Sequence, residues 1–221
     1  IEAPGCVAAN LQLWLKADEG LQADGSNQIT AWGEQSGNDH SETVIGTPEV
    51  VANGLNFNPV ARLEGNGVDY FNYTNFANSW TAGSGFIVVR ADSDPHSGGN
   101  DTGLWTIGGD TGDETNYPWT NGSIYEAFGS NNGRTVLNPA EPLDVFNIYS
   151  VTVDTMLTNE QQIFLNSKIL GDANTSVNFT HFQNRLSIGR NATSTVRTFD
   201  GDIAEVILYD AAQAGGDKNR I

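Results

Sequence analysis

Ile148-Tyr149-Ser150-Val151-Thr152-Val153 alternates in character with a period of two. Ile148, Ser150 and Thr152 fall on one face of an extended segment, and Tyr149, Val151 and Val153 on the other. That is the pattern of a strand with one face in a core. Similar short runs recur on both sides of it. Before it come Leu11–Leu15, Ile29–Trp32, Val60–Leu63, Phe86–Ala91, Leu104–Ile107 and Ser123–Phe128. The alternating run itself extends to Asp154, and after it come Gln161–Leu165, Arg185–Ile188 and Ile203–Tyr209. Clusters of Gly, Asn, Asp and Ser separate them. No helix of ordinary length is expected before the last dozen residues. Ten or more short strands predict an all-β chain, an antiparallel sandwich or barrel, and with nothing to suggest crossover helices two packed antiparallel sheets are expected. With no linker and no shift in composition, the whole chain reads as one domain.

The expected core draws on Trp14, Leu13 or Leu15, Phe86, Val88, Leu104, Tyr149 or Val151, Ile188, Ile203 and Val206. The first and last strands are expected to be neighbours, because domain termini often lie close together.

Composition removes several classes of function. The 221 residues carry 27 acidic and 10 basic side chains, a formal charge of −17. The few scattered cations exclude a nucleic-acid binder that works by neutralising phosphates. The apolar runs, such as Ile203–Tyr209, are too short to span a bilayer as helices, so no membrane insertion is expected. Aromatic residues at 10% and hydrophobic residues at 38% argue against wholesale disorder. One cysteine, Cys6, excludes a disulfide scaffold. The chain begins at Ile1 without Met and is expected to be a processed form or an excised domain. Lys218-Asn219-Arg220-Ile221 reads as the start of a helix.

Two acidic, glycine-rich segments read as loops, Asp92–Gly103 and Asp110–Gly122, and are expected to share one rim. The second turns aromatic. Tyr117, Trp119 and Tyr125, with Asn116 and Asn121, offer the mixture of ring faces and amides that holds sugars.

Catalytic patterns are absent. A glycosidase needs two carboxylates across a cleft. Asp200-Gly201-Asp202 with Glu205 fails that geometry, because Asp200 and Asp202 fall on one face of a strand and Glu205 on the other. There is no G-x-S-x-G elbow and no phosphate loop. His40, His96 and His181 are isolated. No catalytic residues are expected. Six Asn-x-Ser/Thr sequons occur, at Asn72, Asn100, Asn121, Asn174, Asn178 and Asn191. They matter only in a secreting eukaryote.

Four stretches resemble bacterial concanavalin A-like (laminin G-like) jelly-roll domains. They are Pro4-Gly5-Cys6-Val7 with Leu11-Gln12-Leu13-Trp14-Leu15-Lys16-Ala17-Asp18; Ala31-Trp32-Gly33-Glu34-Gln35-Ser36-Gly37-Asn38; Arg62–Phe71; and Phe199–Asp210. Tyr117–Gly129 is similar to such domains in viral and phage structural proteins. The chain departs from the pattern at Glu34 and Glu64, where the family often has Asp, and at Cys6 in place of Gly. The resemblance implies a jelly roll that binds carbohydrate or a surface protein. It also implies neighbouring domains in a larger secreted, cell-surface or virion protein. A structural or adhesive domain with a protein partner is the alternative, and a glucanase-type hydrolase the weaker one. Related jelly rolls often tie an early loop to the last strand through Ca²⁺. That implies a structural calcium held by Glu34, Asn38, Asp200 and Asp202, and a charge of −17 favours cations.

Overall fold

The computed structural model describes residues 3–65, 67–96, 102–108, 114–129, 135–154, 161–173, 185–191 and 197–221. The chain opens with β1 (Leu11–Lys16), α1 (Ala17–Gly20), β2 (Leu21–Ala23), β3 (Ile29–Trp32), β4 (Glu42–Ile45) and β5 (Glu49–Leu55). It continues through β6 (Asn58–Leu63), β7 (Tyr70–Thr74), β8 (Ala82–Ala91), β9 (Gly103–Ile107), β10 (Glu114–Asn116) and β11 (Ile124–Glu126). It closes with β12 (Thr135–Leu137), β13 (Asn147–Asp154), β14 (Gln161–Leu165), β15 (Lys168–Ala173), β16 (Arg185–Ile188), β17 (Gly201–Tyr209) and α2 (Gly215–Lys218).

Two antiparallel sheets form a sandwich. Sheet 1 runs β15-β14-β13-β8-β17-β6-β5, with β1 also paired to β17. Sheet 2 runs β12-β11-β10-β9-β16-β7-β4, and β2-β3 make a separate ribbon. Consecutive pairings such as β13-β14 alternate with pairings between strands distant in sequence, such as β8-β17 and β9-β16. The spine of sheet 1 is β17. One side of it pairs with β8 from Gly201 to Tyr209, with a register shift between Ile203 and Glu205. The other side is shared, with β6 along Gly201–Ile203 and β1 along Glu205–Tyr209. The first and last strands are thus neighbours, with Leu15 opposite Val206.

The alternation holds. In β13, Tyr149, Val151 and Val153 are fully buried between the sheets, while Ile148 on the outer face is 48% exposed. Trp105, Tyr149, Phe71, Trp32 and Leu208 belong to the central core. The outer face of sheet 1 carries a second cluster built from Val7, Leu11, Trp14, Phe86, Ile207 and Tyr209. This is why Leu13, Trp14 and Leu15 are all buried on one strand, where alternation predicts one face in water. Val88 departs from the expected core. It points outward beyond the second cluster and is half-buried.

The ten expected strands all form, with ends shifted by a few residues. Those missed are β2, β4, β5, β7, β10, β12 and β15. They are mostly short, polar or at sheet edges, and take their hydrogen bonds from partners that local sequence does not announce. No helix among the described residues is long and apolar enough to cross a membrane.

Candidate functional site

Sheet 2 turns Trp105 and Ile107 of β9, Leu186 and Ile188 of β16, and Phe71 and Tyr73 of β7 into the core. Period-two geometry therefore sends Thr106, Ser187 and Asn72 to the outer face, where register aligns them in one row. On β11 the buried Ile124 and Glu126 leave Tyr125 facing outward, half-buried. The outer face of sheet 2 is therefore polar and aromatic, whereas that of sheet 1 carries the second apolar cluster among polar and charged groups.

The turn from β10 to β11 builds the candidate site at one end of this face. Trp119 N–H donates to Ser123 O at 2.6 Å, and Gly122 N–H donates to Trp119 O at 2.9 Å. Gly122 has φ of 80°, a left-handed conformation that glycine adopts without strain. Asn121 Oδ1 accepts from Ser123 N–H at 3.0 Å, and Ser123 Oγ donates to Asn138 Oδ1 at 2.6 Å. Pinned in this way, the half-buried Trp119 ring lies against Tyr125, with centroids 4.4 Å apart and planes tilted by 58°. Asn121 is exposed beside the pair. A tilted aromatic pair with amides at its edge presents an apolar face and hydrogen-bonding groups together, which matches the C–H face and hydroxyls of a sugar.

The described parts of the two expected loops do meet. Tyr117 N–H donates to Thr102 O at 2.9 Å, and Thr102 Oγ1 donates to Pro118 O. A Cβ on Gly122 would lie 3.1 Å from Asp94 Oδ1. Residues 97–101 and 109–113 of these loops lie outside the described residues, as do His181, Asn100, Asn174 and Asn178.

Two of the five expected contact residues are not surface groups. Asn116 and Tyr117 are both fully buried. Asn116 belongs to β10, directly opposite Tyr125, and its amide meets no hydrogen-bond partner. The Tyr117 ring packs 5.6 Å from that of Tyr149, and Asn147 Nδ2 donates to its hydroxyl at 3.2 Å. Burial pushes the Tyr117 phenol well above its ordinary range. The acidic run before them reads as a solvated loop, but its end pairs with β9. Trp119, Tyr125 and Asn121 remain at the surface.

The four residues expected to share calcium have other partners. Glu34 Oε1 accepts from Trp14 N–H at 3.3 Å and also from Ser36 N–H. Asn38 Nδ2 donates to Leu11 O at 2.9 Å and to Gln12 O at 3.1 Å. These two fasten the loop to β1. Asp202 is fully buried and takes two guanidinium groups, Arg62 at 2.6 and 3.1 Å and Arg90 at 2.9 Å through Nε. Asp200 sits against Gly65, and burial, then the nearby Asp92 charge, raise its carboxyl above the usual range. Among the described residues no group of three or more His, Cys, Asp or Glu is placed to hold a metal.

Sequence reasoning missed Arg185, Arg190, Tyr70, Asn72 and Ser187, which line a cavity of about 230 Å³ on the outer face of sheet 2. The signal was present, since Arg185-Leu186-Ser187-Ile188 alternates, but nothing local shows that Tyr70 and Asn72 face it from β7. Asn72 accepts from Ser187 Oγ at 3.2 Å, and Asn191 is buried. Of the described sequons only Asn121 is exposed.

No family model matches the chain, and no curated protein matches it. Solved structures do. Domain 4 of AbnA, a GH43 extracellular arabinanase from Geobacillus stearothermophilus in complex with arabinotriose, superposes with a TM-score of 0.64 at 16% identity. The match covers 93% of this chain and 94% of that one. The receptor binding domain of botulinum neurotoxin C/D mosaic serotype gives 0.66 at 13%, over 96% and 51% of the two chains. Trypanosoma rangeli sialidase in complex with sialic acid gives 0.63 at 13%, over 96% and 32%. This chain thus spans about half of the toxin domain and a third of the sialidase. At these identities the likeness is one of fold, and the fold is an antiparallel two-sheet β-sandwich.

Proposed function

We propose that this chain is a non-catalytic carbohydrate-binding module of the concanavalin A-like kind, acting outside the cell or at a surface as part of a larger protein. The glycan rests on Trp119 and Tyr125, with Asn121 at the edge. The observation that carries this reading is the Trp119–Tyr125 pair, 4.4 Å apart and held by a turn whose polar groups are bonded inward. A ligand gains from such a platform because little ordering remains to be done on binding. The structural likeness adds support, since the arabinanase domain holds arabinotriose and the sialidase holds sialic acid.

Binding without turnover fits the placement of the acids considered above. Asp202 is neutralised by two arginines. Glu205 Oε1 accepts from Trp14 Nε1 at 2.6 Å. Glu126 is buried in the core.

The test is a glycan panel read by tryptophan fluorescence and by reducing-sugar release. One class of glycan should change the emission, with no release of reducing ends. Emission unchanged by every polysaccharide, or release abolished by a single Asp→Asn change, would count against the reading.

A surface domain with a protein partner is the second reading. Ile148 and Ile169, 48% and 55% exposed on sheet 1, favour it.

A further inference from the structure

Strand register lines up one row of side chains across the outer face of sheet 1. Trp14 lies opposite Ile207, Ile207 opposite Phe86, Phe86 opposite Ser150, Ser150 opposite Phe164, and Phe164 opposite Ile169. The row is apolar except at Ser150. Its first three members are packed into the second cluster. From Phe86 to Phe164 the row becomes the floor of a cleft of about 500 Å³, with Ile148 and Gln162 beside it. One wall is α2 and residues 219–221. That wall is fixed in place. Ile221 packs against the second cluster, and Arg220 O approaches the N-terminal turn so closely that a Cβ on Gly5 would lie 2.0 Å from it. The cleft has the size of an ordinary small-molecule site, roughly 300–1,000 Å³.

Lys218 brings a half-buried cation to this cleft. Its Nζ donates to Gln162 Oε1 at 3.0 Å and lies 4.5 Å from the centroid of the Phe164 ring. An ammonium carries three donors, and this bond uses one of them. Burial lowers the pKa of the group from the ordinary lysine value. Among the described residues no carboxylate pairs with Lys218, although the chain holds 27 acids and 10 bases. No carboxylate lines the cleft either. Arg220, on the same wall, pairs with Asp217 at 3.7 Å, so Lys218 is the anchor. A half-desolvated cation above an apolar floor is matched by a negative head on an apolar body. We propose that this cleft binds a small apolar carboxylate, its head on Lys218 and its body on Phe86 and Ile148. This site is independent of the proposed glycan platform, which lies on the outer face of the other sheet. The charge of −17 does not oppose it at contact range, because exposed charges are largely screened beyond roughly 8 Å at physiological salt.

The experiment is calorimetry on wild type, Lys218→Met, Lys218→Gln, Ile148→Ser and Trp119→Ala. The probes are octanoate, 4-phenylbutyrate, the neutral octanamide, and acetate, which has the charge without the body. Wild type should bind octanoate or 4-phenylbutyrate about tenfold tighter than octanamide or acetate, and the tighter of the two carboxylates tells whether the body is alkyl or aryl. Either change at Lys218 should remove the preference for acid over amide and leave octanamide affinity within about twofold. Ile148→Ser should weaken octanoate and octanamide together, about threefold, by taking away apolar contact. Both positions are only partly buried, and near-ultraviolet circular dichroism reports that the variants are folded. Trp119→Ala should bind octanoate as wild type does, so a failed glycan platform and a failed cleft give different results. Three outcomes overturn the proposal. The first is that neither longer carboxylate binds at millimolar concentration. The second is an acid preference that survives both changes at Lys218. The third is a dimer in sedimentation velocity that Ile169→Lys dissolves, which would show that a second copy covers this face.

Discussion

The Tyr149 hydroxyl of β13 donates a hydrogen bond to the Glu126 carboxylate of β11, and so joins one sheet to the other through the core. Thr115 Oγ1 donates to the other carboxyl oxygen at 2.7 Å, and Phe128 N–H donates there too, at 2.7 Å. Thr115 Oγ1 in turn accepts from Trp105 Nε1 at 2.8 Å. Glu126 is fully buried. Burial pushes its carboxyl up to about 7, and the four hydrogen bonds it accepts only partly oppose this. Below about pH 4.5 the group is protonated in both folded and unfolded chains. Between there and pH 7 the unfolded chain releases its proton while the folded one keeps it, so stability falls as pH rises. The loss across that window is about 3 kcal/mol for a shift of this size. Chemical denaturation from pH 4.5 to 7.5 should show the decline, and Glu126→Gln should flatten it. A wild-type profile flat over that range would contradict the assignment.

Asp202 should be worth about 3 kcal/mol to folding, because its removal leaves Arg62 and Arg90 without the carboxylate both grip. Melting of Asp202→Ala in millimolar Ca²⁺ and in excess chelator should show equal losses. A loss confined to the calcium buffer would return Asp202 to a metal site.

Tyr117 is a packing residue in this structure. Tyr117→Phe keeps the ring on Tyr149 and gives up the bond from Asn147, at a cost of about 1 kcal/mol. Glycan affinity should be unchanged. If the variant keeps its stability and loses affinity, Tyr117 touches the ligand after all.

The sandwich was legible because strands such as β13 alternate strongly enough to declare both existence and inward face, whereas β17 declares only its existence, being an apolar run covered on both faces. The pairing of first and last strands, Leu15 opposite Val206, follows the expectation that domain termini lie close together. Orientation at the site was harder. Local composition marks Asn116, Tyr117, Trp119 and Tyr125 alike, and nothing local shows that the first two are buried. Their burial depends on β9 and β13, which are remote in sequence from one another. The arginine groove shows the same limit, since Arg190 meets Tyr70 only through the pairing of β16 with β7. Asp200-Gly201-Asp202 offered oxygens for calcium, and nothing local shows that two arginines approach Asp202 from neighbouring strands.

The most direct measurement of the central claim is glycan affinity on replacing Trp119, with the best ligand from the panel titrated by calorimetry. Loss of the indole should raise Kd about tenfold, near 1.4 kcal/mol, in line with one stacked aromatic contact. Trp119→Phe should recover part of this, and both variants should melt within a few degrees of wild type. Wild-type affinity in a folded Trp119→Ala protein would contradict the claim that the glycan rests on Trp119 and Tyr125.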